Sequence, residues 1–393
     1  MERDEFTTEM AAHLVRVRDA ESAYWAFVPP PLPAAQDALD WSNVRLRRAL
    51  SDADHRLGEL AGLGRTIPNP HLLIAPFVRR EAVLSSRIEG THAGIRDVYA
   101  YEDGQMALPG MAPEEVSDIR EVTNYVRALE FGLERVAAGQ PIGLWLVRSL
   151  HSLLLEGVRG ERQHAGDLRT TQNFIGAGDL LNDATYVPPP PLQMQQCLEQ
   201  WERYVQGEEE EAPLVRLAQI HYQFEAIHPF EDGNGRIGRL LISLLLVAWD
   251  LLPAPLLYLS AYFEANRATY YKGLQGVSCR GAWQHWVTFF LDGIAEQAQD
   301  AVRRARDLQD LRERWRAELI AENAPPSVLA LAERLFATPI ISAPRAGEAL
   351  SVTYRTASLG IQRLEDAGML EHLENSSHPR RYAAREILQV LEA

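Results

Sequence analysis

The sequence is poor in cysteine, has no long hydrophobic run and carries no excess of basic residues. Its two cysteines, Cys197 and Cys279, lie far apart without partner motifs, which argues against a disulfide framework and against a cysteine zinc site. The longest apolar run, from Leu240 to Trp249, is well short of the roughly 20 residues that span a bilayer. The N-terminus, MERDEFTTEM, is too acidic and polar for a signal peptide. We therefore expect a cytoplasmic protein with no membrane partner.

The chain is also acidic as a whole, with a net charge of −15. This charge disfavours a general affinity for nucleic acids or anionic membranes. A nucleotide can still bind where magnesium and a few local donors neutralise its phosphates, so such a site would have to be locally basic. The 393 residues exceed the roughly 100–200 of one typical domain. With 46% hydrophobic and 24% charged residues, the composition is ordinary for a protein with a buried core.

Helical periodicity covers most of the chain and predicts a mainly α protein of three parts. Residues 1–113 form an N-terminal helical segment, in which residues 8–17 are expected to be a short helix. Residues 114–319 form a helical core. Within this core, residues 166–191 combine β-favouring residues, a Gly-Ala-Gly turn and four prolines, which predicts a β-hairpin. A proline-containing linker separates the last part, residues 327–393.

The most informative stretch is residues 228–239, which read HPFEDGNGRIGR. Pro229 stops the preceding helix and leaves His228 at the edge of a loop, where it could accept a proton near neutral pH. Asp232 offers the hard oxygen ligand that magnesium takes beside phosphates. The first half of the stretch therefore supplies a base and a metal ligand.

The second half of the stretch suits phosphate binding. Gly233, Asn234 and Gly235 permit turns that point backbone N–H groups inward, and the helix that begins near Arg236 adds free N-terminal amides. Arg236 and Arg239 share one face of the first helical turn and can clamp phosphate oxygens. A D-G-N-G loop alone is commonly a plain turn, and a histidine before proline is usually structural. The joint occurrence of these features favours phosphoryl or nucleotidyl transfer.

The same stretch matches the hallmark of the Fic family, H-x-F-x-(D/E)-G-N-G-R-x-x-R, at every defined position. Further similar stretches, such as RTTQNFIG at 169–176 and YVPPP at 186–190, extend the resemblance from about residue 29 to residue 319. It implies a Fic helical core with a β-hairpin flap. It also implies a protein adenylyltransferase, which moves AMP from ATP to a Ser, Thr or Tyr hydroxyl of a target protein, the enzyme itself included.

The resemblance further implies a role for each residue of the site, with ATP and Mg²⁺ as ligands. His228 resembles the base that deprotonates the hydroxyl, Asp232 the magnesium ligand and Arg239 the contact to the ATP γ-phosphate. Tyr270 and Tyr271 resemble a tyrosine pair near the adenine, although paired helical tyrosines are more often core residues. The residues that resemble the phosphate cradle are Gly233, Asn234, Gly235 and Arg236.

The predicted hairpin resembles the family's target-docking flap over about residues 169–188. A target segment would pair with its exposed strand edge through main-chain hydrogen bonds, which places a hydroxyl over His228. The alternative is an ordinary surface hairpin. The residues assigned to docking are Thr170, Gln172, Asn173, Phe174, Ile175 and Gly176.

Autoinhibited Fic proteins carry the pattern (S/T)-x-x-x-E-(G/N), and this chain contains it twice, at residues 85–90 and at residues 152–157. The second match lies in an apolar helix whose leucines are expected to pack in the core. The first lies upstream of the core in a predicted helix, and its sequence resembles the family's inhibitory helix. Its defined positions are Ser85, Glu89 and Gly90. We expect Glu89 to pair with Arg239 through both carboxylate oxygens and to bar productive ATP binding.

The last part, residues 327–393, is predicted to be a winged-helix domain, with a helix-turn-helix over residues 344–367, two short strands within residues 369–382 and a wing over residues 373–382. It contains seven Arg, no Lys, seven Glu and one Asp, a net charge of −1. DNA-binding modules are usually basic, so DNA is a less favoured partner than protein, and a homodimer is one such contact.

Other functions stay open at this point. Gly235 disfavours the kinase branch of the family, which has lysine there, but the loop does not exclude transfer of phosphocholine or UMP. A nucleotide-sensing regulator that acts through the C-terminal domain is a second interpretation, although such a sensor has no need of His228. Removal of AMP, with Glu89 positioning a water, is a third.

Overall fold

The computed structural model describes residues 2–18, 23–35, 37–66, 71–104, 113–158, 165–176, 184–207, 210–373 and 379–392. Helices dominate these residues, which confirms the mainly α class. The helices are α1 (Val44–Thr66), α2 (His71–Ile88), α3 (Ile95–Glu102), α4 (Pro113–Ala137), α5 (Leu144–Leu154), α6 (Pro191–Gln206), α7 (Pro213–Ile227), α8 (Asn234–Ala248), α9 (Ser260–Ala265), α10 (Arg267–Arg280), α11 (Trp283–Ala321), α12 (Pro326–Leu335), α13 (Ala343–Leu350), α14 (Tyr354–Asp366) and α15 (Arg385–Glu392). None of the helices in these ranges has both the length and the apolarity that crossing a bilayer requires.

The helical body is built around α7 and α8, in which almost every residue is buried. The run of leucines and isoleucines in α8 can be buried only if other helices cover it on all sides, and α4, α5 and α7 pack against it. The 39-residue helix α11 packs along α1 and also contacts α7. Because α7 ends at Ile227 and α8 begins at Asn234, the six residues between them form a short loop held by two immobile helices.

The N-terminal residues form a β-hairpin, so the prediction of a helix over residues 8–17 was wrong. A short 3-10 helix, Met10–His13, leads into β1 (Leu14–Arg18), which pairs antiparallel with β2 (Ala23–Phe27). From Val15 to Arg18 the residues of β1 alternate between valine and arginine, which is the period of a strand with one covered face.

The predicted flap hairpin is confirmed at its two strands, β3 (Ile175–Gly176) and β4 (Ala184–Tyr186), which pair antiparallel. The turn predicted between them lies outside the described residues. The N-terminal hairpin lies against this flap, because the Phe27 N–H donates to the Val187 carbonyl at 2.9 Å and Ala26 packs with Ala184 and Val187.

The C-terminal residues form α12 to α15 and a three-stranded antiparallel sheet in the order β5 (Ile340–Ser342), β7 (Arg381–Ala383), β6 (Glu371–His372). The two predicted strands are therefore present, whereas β5 and α15 were not predicted. The winged-helix assignment and the boundaries of the three domains stay predictions, and residues 374–378 of the expected wing lie outside the described residues.

The C-terminal sheet is joined to the N-terminal region through the end of α3. The Arg381 Nε lies 3.1 Å from Asp103 Oδ2, and both side chains are buried. The Ser342 N–H and Oγ both donate to Asp103 Oδ1 at 3.1 Å. A second, exposed pair joins Arg96 to Glu392. Four residues separate the predicted inhibitory segment from α3, so the helix that contacts the C-terminal region follows this segment closely in the chain.

Candidate active site

The loop between α7 and α8 contains two residues in the left-handed region, His228 (φ 49°) and Gly233 (φ 79°). Glycine adopts this conformation freely, whereas histidine does so at a cost, which the surrounding contacts must offset. Phe230 anchors the loop in the core, fully buried. The Asn234 side chain closes the loop, because its Oδ1 accepts from the Phe230 N–H at 2.9 Å and its Nδ2 donates to the Phe230 carbonyl at 2.8 Å. These contacts hold the backbone of the loop from within.

The ring of His228 has the protonation state that a base requires. Its Nδ1 lies 3.3 Å from the Glu225 carbonyl, which can only accept, so the neutral ring carries its proton on Nδ1. The other nitrogen, Nε2, then keeps its lone pair, and His228 lines a cavity of about 720 Å³. Burial lowers the pKa of His228 to about 4, although the Glu225 carbonyl and nearby carboxylates oppose this. The ring is therefore neutral at physiological pH.

The start of α8 supplies an anion-binding surface. The first amides of a helix have no acceptor within it, and the Ile237 N–H already bonds the Gly233 carbonyl. Gly235 lines the cavity, and a Cβ at this position would collide with the carboxylate of Glu89. The absence of a side chain therefore leaves room for one anionic group against the helix.

The two arginines of the loop have different surroundings. Arg236 is buried and pairs with Glu121 at 2.8 Å and with Asp232 at 3.4 Å, and it is not among the residues that line the cavity. Arg239 does line the cavity. The side chain of Asp232 is 48% exposed, so its carboxylate is accessible beside the first turn of α8. An accessible carboxylate beside an anion site is a donor set that fits Mg²⁺ with a bound phosphate.

Arg239 is held by the predicted inhibitory segment at the end of α2. Its Nη2 lies 2.6 Å from Glu89 Oε1 and also donates to the Ser85 carbonyl, while its Nε donates to Ser85 Oγ, both at 2.9 Å. Only one carboxylate oxygen of Glu89 takes part, so the expected two-point pairing was wrong: Nε of Arg239 donates to Ser85 instead. Burial alone would raise the pKa of Glu89, but the Arg239 charge and hydrogen bond outweigh it and keep this pKa below its ordinary value. Gly90 ends the segment with φ 102°.

The second match to the inhibitory pattern lies elsewhere. Glu156 pairs with Arg127 at 2.7 Å, both side chains about half exposed. It does not line the cavity that contains Arg239. The structure thus brings Glu89, and not Glu156, to the loop.

The flap residues divide into two groups. Phe174, Ile175 and Gly176 line the cavity opposite the loop. The side chains of Gln172 and Asn173 instead donate to the carbonyls of Pro188 and Phe230, so they brace the base of the flap. The remaining residue, Thr170, is exposed and does not line the cavity.

Both predicted tyrosines line the cavity, on the side formed by α10. The Tyr270 ring is buried, with its hydroxyl 3.0 Å from His221 Nε2, whereas Tyr271 is 41% exposed. Tyr270 is therefore part of the wall, and Tyr271 has a surface available to a ligand.

Several residues of the site were missed by sequence reasoning. Arg169 is buried and donates to the carbonyls of His228 and Pro189, which fixes the base of the flap to the loop. Glu225 lines the cavity, and burial, with a contribution from Glu89, raises its pKa to about 7. His151 contacts the loop from α5. Only Arg169 had a signal, since it begins the RTTQNFIG stretch; the other two lie in segments without a motif.

Comparison with known proteins agrees with this site. Residues 47–134 match the Fic/DOC family N-terminal model, and residues 141–246 match the Fic/DOC family model. The chain is 27% identical over 272 residues to protein adenylyltransferase fic-1 of Caenorhabditis elegans, an alignment of 68% of this chain and 47% of that one. It is 26% identical over 207 residues to protein adenylyltransferase Fic of Culex quinquefasciatus, with 52% and 38% covered. The chain thus spans less than half the length of these curated relatives.

A solved structure shares the fold over nearly the whole chain. It is a Fic family protein from Desulfovibrio desulfuricans G20, with a TM-score of 0.54 and 21% identity over 91% of this chain and 98% of that one. The family matches and the complete loop motif define the class of protein. The chain belongs to the Fic/DOC family, with a Fic N-terminal region followed by a Fic domain.

Proposed function

We propose that this protein is a protein adenylyltransferase that transfers AMP from ATP to a Ser, Thr or Tyr hydroxyl of a target protein. One observation carries the proposal: the His228 ring, with its lone pair on Nε2, lies in the same cavity as Gly235 and Arg239. A base and an anion-binding surface thus share one space. The names of the curated relatives, protein adenylyltransferases, support this reaction over other transfers.

In the proposed reaction, His228 Nε2 takes the proton of the target hydroxyl as its oxygen attacks the α-phosphorus of ATP. The bond between the α-phosphorus and the bridging oxygen breaks, so AMP stays on the target and diphosphate leaves. The first amides of α8 stabilise the negative charge on the phosphates, and Arg239 pairs with the γ-phosphate. Mg²⁺ held by Asp232 would supply further positive charge against the phosphates.

Glu89 is proposed to inhibit this reaction in two ways. It occupies Arg239, so the γ-phosphate has no free guanidinium to pair with, and its carboxylate fills the space over Gly235. A carboxylate so close would also repel the phosphates of ATP. Binding of ATP in the reactive position therefore requires Glu89 to move.

The flap is proposed to dock the target by strand pairing. The main chain beside β4 already bonds the N-terminal hairpin through Phe27, whereas Ile175 and Gly176 of β3 are exposed. A target segment can therefore pair with β3, next to the cavity. The C-terminal region, with its slightly negative charge, is proposed to contact protein before DNA.

The test compares wild type, Glu89→Gly and the double variant Glu89→Gly/His228→Ala, each incubated with α-labelled ATP and magnesium. The purified protein alone reports self-modification, and an added cell lysate supplies targets. Mass spectrometry should find AMP on protein with Glu89→Gly and none with the double variant. A label that survives His228→Ala would exclude this residue as the base. No label with Glu89→Gly under either condition would sink the adenylyltransferase proposal.

A further inference from the structure

His151 lies on α5, fully buried, between two segments that are far apart in sequence. Its Nδ1 is 2.9 Å from the backbone nitrogen of Gly166, at the start of the segment that leads to the flap. Its Nε2 is 2.9 Å from the backbone oxygen of Asp232, in the loop. The ring is stacked on Phe230, with 3.7 Å between ring centroids and 5° between the planes. One imidazole thus contacts the loop twice and the flap segment once.

These partners determine where the proton of His151 lies. The Gly166 N–H can only donate, so Nδ1 must accept and carries no proton. The Asp232 carbonyl can only accept, so Nε2 must donate. Both contacts are satisfied only by the neutral ring with its proton on Nε2.

His151 and His228 therefore hold opposite tautomers. His228 carries its proton on Nδ1 and keeps a lone pair on Nε2 for the cavity. In His151 both nitrogens are used by backbone groups, so no lone pair or proton is left for chemistry. Its contribution must come through the residues that it contacts.

We propose that His151 is a positioning residue of the active-site loop. Its Nε2–H holds the backbone of Asp232 and its ring holds Phe230, so that the Asp232 carboxylate takes the position that binding of magnesium requires. The bond to Gly166 extends this support to the segment that leads to the flap. The inference rests on the proposed function, because that function assigns magnesium to Asp232.

Two substitutions separate the contacts, both made in the Glu89→Gly protein. His151→Gln can place an amide N–H near the position of Nε2 and keep the donor to Asp232. His151→Asn can place its oxygen near Nδ1 and keep the acceptor for Gly166, but it loses the donor to Asp232. Melting temperatures of both variants show whether each one folds.

The measurement is the Kd of ATP by calorimetry, with magnesium and with a chelator instead. We expect His151→Asn to weaken binding about tenfold in magnesium and to have little effect in the chelator, since loss of one buried hydrogen bond misplaces the metal ligand. His151→Gln should stay within about threefold of its parent. Equal losses for both variants, or a loss that is the same without magnesium, would show that His151 is merely a packing residue and overturn the proposal.

A second measurement reports the tautomer directly. It is the imidazole ¹⁵N spectrum of the protein, in which the signals that disappear in His151→Gln are assigned to His151. A neutral ring protonated on Nε2 supports the proposal, and a proton on Nδ1 contradicts it. If Glu89→Gly binds magnesium and ATP but transfers no AMP, the proposed function fails while the dependence of binding on His151 is still measured.

Discussion

Several arginine–carboxylate pairs tie the N-terminal region to other parts of the protein, and two of them differ in what surrounds them. Arg239 and Glu89 pair at 2.6 Å, with 1% of the arginine side chain and 34% of the glutamate side chain exposed. Arg381 and Asp103 pair at 3.1 Å, with 3% of each side chain exposed. The first pair forms part of a cavity wall, and the second is buried between the end of α3 and the C-terminal sheet.

This difference in exposure decides what each pair can do. Glu89 can leave Arg239 for water, and a phosphate of similar charge can take its place. Asp103 cannot leave Arg381 without stranding a charge in the core, which costs several kcal/mol. The first pair is therefore suited to exchange with a ligand, and the second to holding the C-terminal region in place.

The largest expected effect comes from removing the arginine of the buried Arg381–Asp103 pair. Among the residues that the structure describes, Arg381→Met leaves the buried Asp103 carboxylate with only its two hydrogen bonds from Ser342, so we expect the free energy of unfolding to fall by about 3–5 kcal/mol. Urea unfolding measures this. The double variant Asp103→Leu/Arg381→Met should regain most of the loss, because it removes both charges. A loss below about 1 kcal/mol in Arg381→Met would mean that the second pair also exchanges with water.

Removing the carboxylate of the partly exposed Arg239–Glu89 pair should change activity instead. Glu89→Gly removes one charge-assisted hydrogen bond to Arg239, so we expect the rate of AMP transfer to rise about 10- to 100-fold. Glu156→Gly is the matched control, since it lies in the second match to the same pattern and contacts Arg127 instead. Equal activation by both substitutions would show that the effect is not specific to Arg239.

The two pairs should also respond to pH with opposite sign. The pKa of Glu89 is lowered in the folded protein, so the stability it contributes is present above the unfolded pKa and is lost as pH falls through the folded pKa. Burial raises the pKa of Asp103, despite Ser342 and Arg381, so its contribution is present below the unfolded pKa and is lost as pH rises through the folded pKa.

Urea unfolding between pH 3 and pH 7 tests this, with Glu89→Gln and Asp103→Asn as references. The difference between wild type and Glu89→Gln should grow with pH, and the difference between wild type and Asp103→Asn should shrink. Each changes by at most about 1.4 kcal/mol per pH unit. Slopes of the same sign would show that the two carboxylates have similar surroundings after all.

The two pairs also show how far the sequence predicts the site. The loop from His228 to Arg239 could be predicted because its residues are contiguous, so their types and spacing already define its chemistry. Glu89 is 150 residues from Arg239, and its pattern occurs twice, so only the resemblance to the family chose between the matches. His151 contacts Asp232 across 81 residues of sequence and carries no local signal, because its role comes from where α5 packs.

The fold shows the same limit. Helices of many turns were predicted from their periodicity, whereas the N-terminal hairpin was mistaken for a helix. Five residues of β1 are too few to distinguish a period of 2 from 3.6, and its stability depends on pairing with β2 and on packing against the flap. Strand β5 was missed because three residues carry no periodicity, and it exists only as a neighbour of β7.

The smallest expected effect concerns Ser85, which shares Arg239 with Glu89. Ser85→Ala removes the bond from Arg239 Nε to Oγ but keeps the one to the Ser85 carbonyl, so AMP transfer should rise only about fivefold. Ser86→Ala is a matched control, since this neighbouring hydroxyl is equally buried and has no hydrogen-bond partner among the described residues. In the Glu89→Gly background the effect of Ser85→Ala should shrink, because Arg239 is then already free to pair with phosphate. An undiminished fivefold effect there would mean that Ser85 restrains Arg239 independently of Glu89, and the inhibitory contact would then have two separable parts.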